Sequence, residues 1–144
     1  MSKFDNPTDP ESGWQRDHLH QYVASNGAEG HIWNGVPTLL LTTVGRKSGQ
    51  ARRSPLIYGQ DGDRYLIVAS KGGTDAPPEW YLNLQADPEV RLQVGADVFD
   101  ATASTASPEE KARLWPTMTA IWPDYDEYQK KTERDIPIVI LTRS

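Results

Sequence analysis

The sequence predicts a mainly β domain with short flanking helices, built as a small barrel or strongly curled sheet of about six strands. Three observations carry this. Runs rich in β-branched and aliphatic residues recur between glycine, asparagine and aspartate turn signals. Helix-compatible stretches are confined to the N-terminus, the middle and the C-terminal third. The last run, residues 136–142 (IPIVILT), is almost continuously aliphatic, the pattern of a strand buried on both faces. At 144 residues the chain suits a single domain with a substantial core.

The elements follow in order. Residues 1–13 hold two prolines and three acids with only Met1 and Phe4 to bury, which predicts a mobile arm ahead of a single domain over 14–144. Residues 14–24 place Trp14, His18 and Tyr22 on one helical face, with Leu19 and Val23 beside them. His18 and His20 point to opposite sides of such a helix, and with His31 they are the three histidines of the chain, so no metal site is expected. A glycine-rich loop over 25–37 is anchored by Ile32 and Trp33.

Residues 38–44 (TLLLTTV) and 51–57 (ARRSPLI) read as two strands joined by a tight turn in which Gly45 and Gly49 bracket Arg46, Lys47 and Ser48. Gln60-Asp61-Gly62-Asp63 is a turn, and residues 64–70 (RYLIVAS) make a third strand, so three consecutive strands predict an antiparallel meander. The stretch KGGTDAPP cannot be regular structure. Pro78 and Glu79 then start a helix of about two turns ending before Pro88. Val90, Leu92 and Val94 alternate as a fourth strand, and residues 98–104 form a fifth after the Gly95 turn. Ser107-Pro108-Glu109-Glu110 is a capping-box helix start, and Pro116 is expected to kink or divide that helix. A second short helix over 124–132 carries Tyr125 and Tyr128 near one another, before the sixth strand.

Composition narrows the function. The formal charge is -5, the mean hydropathy is -0.65, and no apolar run approaches the roughly 20 residues of a helical membrane span. An integral membrane segment is therefore ruled out by composition, peripheral association is left open, and with no apolar leader at the N-terminus the cytoplasm is the expected location. Without cysteine there is no disulfide, thiolate ligand or cysteine nucleophile, so redox chemistry requires a bound cofactor. Global acidity argues against nucleic acid as a partner. Against it stands one local exception: residues 38–60 contain Arg46, Lys47, Arg52, Arg53 and no carboxylate, a +4 segment that leaves -9 for the rest of the chain. Such a contrast points to an anion. Taken alone, the hairpin tip is equally a solvated turn, KGGTDAPPEW an ordinary strand-to-helix loop, and Trp122, Tyr125 and Tyr128 ordinary core aromatics.

Together, TTVGRKSGQARRSP, ASKGG, PxWYxNL and a late YxxY followed by TxRxIPIVIL resemble the actinobacterial deazaflavin-dependent nitroreductase and quinone reductase family from about residue 27 to 141. The resemblance implies a split β-barrel that binds coenzyme F420, a deazaflavin bearing a phosphate and a polyglutamyl tail, and uses its reduced form. It implies hydride transfer to a small-molecule acceptor, a quinone, nitro compound or activated enone. By position it assigns Arg46, Lys47, Ser48 and Arg52, flanked by Arg53 and Ser54, to the phosphate and tail. Ser70, Lys71 and Gly72 fall beside the ring system, and Pro78, Glu79, Trp80 and Asn83 in the segment closing over the cofactor. Tyr125, with help from Ser70, is the implied catalytic donor, and Ile57, Trp122, Tyr125 and Tyr128 the substrate pocket. Three departures stand out: Pro77 where relatives have a polar residue, and Trp122 and Ile57 where the best-known nitroreductase has tyrosines. The alternatives are a flavin mononucleotide oxidoreductase on a similar barrel, a non-catalytic cofactor carrier, or a nucleic-acid contact through the basic hairpin.

Overall fold

The structure, a computed structural model, describes residues 3–5, 7–9, 13–33, 35–73 and 76–144; the Trp14 side chain and parts of the expected arm and of the 71–78 loop lie outside that set. The strands are β1 (Ile32–Trp33), β2 (Val36–Val44), β3 (Ala51–Ile57), β4 (Gly59–Asp61), β5 (Arg64–Val68), β6 (Glu89–Val94), β7 (Asp97–Thr105) and β8 (Ile138–Arg143). The helices are α1 (Trp14–Ala24), α2 (Glu79–Ala86), α3 (Pro108–Ile121) and α4 (Asp124–Lys130). All strands pair antiparallel in one sheet, in the order β1-β2-β6-β7-β8-β5-β4, with β3 also on β2.

The expected β2–β3 hairpin is present, with a register running from Thr38 opposite Ile57 to Val44 opposite Ala51. Gly49 sits at φ 71, a left-handed turn position that favours glycine. Two differences from the sequence expectation matter. The described residues hold eight strands, the additional two being the very short β1 and β4, and β3 does not ladder with β5. Instead β5 pairs with β4 and with β8. The predicted meander is therefore broken between its second and third strands, and the curled sheet stays open there. Pro55, in the middle of β3, lacks the N–H that a further partner strand would need.

Apolar residues line both faces of the central strands, which explains their continuous hydrophobicity. Val139 and Leu141 of β8 enter the barrel core with Leu39, Leu41, Ile67 and Leu92, whereas Ile138 and Ile140 pack with Leu66, Leu114 and Met118 under α3. Leu40 packs outward on Leu19 and Tyr22 of α1, while Val23, expected beside that stripe, is 37% exposed. α3 opens with the predicted box: Ser107 accepts from the Glu110 N–H and Glu110 accepts from the Ser107 N–H. It runs through Pro116 to Ile121 as one helix, and is not divided there.

The described residues of the arm are attached to this body. Phe4 is buried at 6% exposure, so the arm contributes an apolar contact that its composition did not promise. No helix among the described residues is long and apolar enough to cross a membrane.

Candidate functional site

The opening between β3 and β5 is a cavity of about 400 Å³. Residues 54–57 of β3 form one side; Val68, Ser70 and Lys71, at and beyond the end of β5, form the other. Pro78 and Trp80 from the start of α2 border it, as do Trp122, Tyr125 and Tyr128 from the α3–α4 corner. Of the residues expected near a ring system or substrate, the structure thus brings together Ile57, Ser70, Lys71, Pro78, Trp80, Trp122, Tyr125 and Tyr128, and it adds Ser54, expected beside the phosphate and tail. Gly72 lies in the adjoining 3-10 turn, Lys71–Gly73.

That turn is held tightly. Lys71 has φ 46, and an added Cβ at Gly73, φ 84, would lie 2.6 Å from the Tyr128 carbonyl oxygen, so the turn lies directly against α4. Arg134 Nη2 donates to the carbonyls of Ala69 at 3.2 Å and Ser70 at 2.8 Å, fixing the same segment from its other side. The Ser70 hydroxyl has no hydrogen-bond partner among the described residues. Tyr125 is 5% exposed, with its ring against Tyr128 and Trp115. Its hydroxyl has no partner among the described residues and is not sealed from solvent, so it is a donor available to the cavity. Burial, reinforced by Tyr128, pushes its phenol well above the usual tyrosine value, so it stays protonated at neutral pH.

Three cavities adjoin one another through shared bordering residues. Ser54 and Trp80 border both the large cavity and a middle section of about 210 Å³; Arg52, Glu79 and Asn83 border that section and a tip section of about 220 Å³ between the β2–β3 turn and α2. The tip holds Arg46, Lys47, Ser48 and Arg52. Its electrostatics differ from a bare +4 hairpin. Arg46 Nη1 donates to Glu79 Oε2 at 2.7 Å and to Asn83 Oδ1 at 3.0 Å, and the Arg46 N–H also reaches Asn83 Oδ1 at 3.2 Å. Arg53 is bound by Asp9. Lys47 and Arg52 have no ion pair among the described residues. Glu79, expected as a cofactor contact, is held below the usual carboxylate range by the Arg46 hydrogen bond, with the charges of Arg46, Lys47 and Lys71 adding to it. It acts on Arg46 here. Of the turn's N–H groups, those of Gly45, Gly49 and Gln50 are used within the turn and that of Arg46 by Asn83, which leaves those of Lys47 and Ser48 without a partner among the described residues.

Several bordering residues carried no site expectation. Gln15, His18, Trp33 and Thr38 close the large cavity on the α1 side. Trp33 lies 6.2 Å from the His18 ring, stacked, and 5.8 Å from Trp122. His18 Nε2 donates to the Gly30 carbonyl at 2.6 Å, and its Nδ1 is buried with no hydrogen-bond partner among the described residues. Nothing local marked these four; the one local signal beside the cavity is Pro55 in β3, whose missing N–H is compatible with an unpaired strand edge. No cluster among the described residues is arranged to hold a metal ion.

Along these adjoining cavities, two cations and two N–H groups without partners among the described residues lie at one end, and an aromatic cavity with the unpartnered Ser70 and Tyr125 hydroxyls at the other. This arrangement is suited to an elongated ligand with a flat apolar head and an anionic end. Comparison with known proteins agrees in kind. An F420H(2)-dependent quinone reductase of Mycobacterium tuberculosis is 45% identical over 137 residues, covering 91% of this chain and 92% of its own. A solved F420-H2 dependent reductase superposes with a TM-score of 0.68 at 42% identity, covering 73% of this chain and 93% of that one. Another solved chain, described as a domain-swapped dimer, gives a TM-score of 0.71 at 36% identity over 88% of this chain and 95% of its own. Residues 14–143 match the family described as F420H(2)-dependent quinone reductase, and the chain belongs to that family.

Proposed function

We propose that the protein reduces quinones with reduced coenzyme F420, and that nitro compounds and activated enones are further acceptors. The observation that carries this reading is the row of three adjoining cavities from a cationic tip, whose Lys47 and Arg52 have no ion pair among the described residues, to an aromatic cavity. Reduced F420 supplies a hydride when bound. Lys47 and Arg52 hold its phosphate and carboxylates by charge, with the Lys47 and Ser48 N–H groups as additional donors. Trp80, Pro78 and residues 54–57 cover its ring and keep water out. The acceptor lies against Ile57, Trp122 and Tyr128, and there the Tyr125 hydroxyl donates to the acceptor oxygen as negative charge develops on it. The Ser70 hydroxyl is a second donor. Neither residue bonds covalently to substrate; the side chains align, desolvate and stabilise.

Two features oppose the alternative partners. Masking of Arg46 and Arg53 by carboxylates reduces the basic surface that a nucleic acid would need. Free hydroxyls facing the cavity suit turnover rather than storage. The test is anaerobic oxidation of reduced F420 by a panel of quinones, nitroaromatics and enones, followed by absorbance. Reoxidation by menadione is expected. Tight cofactor binding with no acceptor reduced would make the protein a carrier, and a yellow preparation retaining flavin mononucleotide would replace the cofactor.

A further inference from the structure

The mid-groove cation is masked by a residue outside the matched region, in the arm that precedes residue 14. Asp9 grips Arg53 at two points, Nε to Oδ1 at 2.9 Å and Nη2 to Oδ2 at 2.9 Å, with both side chains only 20% exposed. The arm reaches this place by strand-like pairing on the free edge of β3: the Thr8 N–H donates to the Ala51 carbonyl at 2.8 Å, and the Arg53 N–H donates to the Thr8 carbonyl at 2.9 Å. Phe4 anchors it further along, buried with the Arg91 guanidinium 5.1 Å over its ring. Thr8 and Asp9 thereby border the middle section of the groove, together with Arg53, Ser54 and Trp80.

An unmasked guanidinium at Arg53 would offer a second anion seat, between the Lys47 and Arg52 tip and the aromatic cavity. We propose that Asp9 is a positioning residue which, by neutralising Arg53, denies the anionic end of the cofactor that seat and so sets the register in which its ring reaches the cavity. The inference rests on the deazaflavin reading. Its sign is distinctive. Asp9→Asn adds one effective positive charge to the groove, so a polyanion binds at least as tightly and with steeper salt dependence, while fewer bound molecules sit in the reactive register. An arm that served only to hold the groove together would, on losing Asp9, weaken binding instead.

The experiment titrates oxidised F420 by fluorescence at low and high salt, and measures menadione reduction at saturating reduced F420. It uses the full-length chain as wild type, Asp9→Asn, Asp9→Glu and the Asp9→Asn/Arg53→Gln double variant. For Asp9→Asn, affinity at low salt is expected to rise about threefold and kcat to fall about tenfold, since one screened charge is gained while the ring is displaced. Asp9→Glu retains wild-type behaviour. The double variant, which lacks the extra seat as well, recovers kcat, something no loss of structural support would allow. Asp9→Asn with unchanged kcat, or a double variant as slow as the single one, overturns the masking role. A wild-type chain that does not bind F420 brings down the functional reading and this inference with it.

Discussion

Tyr125→Phe separates the proposed donor from the packing around it. The substitution removes one oxygen and keeps the ring against Tyr128 and Trp115. No hydrogen bond to a described residue is lost, so stability should change by less than about 1 kcal/mol, the net worth of an ordinary hydrogen bond. Turnover is different, because a donor aimed at developing negative charge in a water-poor site contributes roughly 3–4 kcal/mol, or 10²–10³ in kcat. This cavity opens to solvent at the β3–β5 gap, which places the expectation near the lower end: kcat about 100-fold down, with cofactor affinity unchanged because the anionic tip is untouched. The assay is anaerobic oxidation of reduced F420 by menadione at saturating substrate, with a thermal melt as the folding control. A variant whose kcat lies within about threefold of wild type, with its melt intact, would falsify Tyr125 as the oxyanion donor and shift the role to Ser70.

The other expectations concern the groove and the fold. Lys47→Ala and Arg52→Ala should each weaken F420 binding about tenfold at low salt and less at high salt, whereas Arg46→Ala, whose charge Glu79 already answers, should cost less; a fluorescence titration that ranks Arg46 above both refutes the masking. Gly73→Ala puts a Cβ 2.6 Å from the Tyr128 carbonyl oxygen at φ 84, so unfolding free energy should fall by about 2–4 kcal/mol, read as a lower denaturation midpoint; an unchanged midpoint would mean that the turn and α4 are not in contact. Burial raises the phenols of Tyr22, to about 12, and of Tyr58 and Tyr125. These raised values favour the neutral folded state, so their contribution is complete below about pH 10, where unfolded tyrosines ionise, and is lost as pH rises towards the folded values. Stability measured by denaturant should therefore be flat through neutrality and decline from about pH 10, less steeply in Tyr22→Phe.

What could be read in the sequence was what is local. The β2–β3 hairpin is encoded by β-branched runs around a glycine-bracketed turn, and the α3 start by Ser107 and Glu110 three residues apart, so both were legible without a tertiary partner. β1 and β4, two and three residues long, have no period to detect. The charge of the hairpin was countable, but its neutralisation was not, because the carboxylates that answer Arg46 and Arg53 lie 33 and 44 residues away. The cofactor and the role of each site residue came from the resemblance, through GRKSG, ASKGG, PEWYLNL and the late YxxY, whereas an anion site at the hairpin was legible from charge.

The pairing of β3 departs furthest from the local rule. Adjacent strands usually pair, and on that rule β3 should have continued through a turn into a ladder with β5. Pro55 argued against it, since a strand that lacks one N–H in its centre serves best at an edge. Leaving β3 and β5 unpaired exposes backbone and apolar side chains that a closed barrel would bury, a cost the fold tolerates only where something else fills the gap. Trp80, Trp122, Tyr125 and Tyr128 fill part of it from α2 and the α3–α4 corner, and the remainder is the cavity of about 400 Å³. The expected ladder fails where the functional groove begins, so in this chain the local rule and the site compete for the same strand edge, and Pro55 decides for the site.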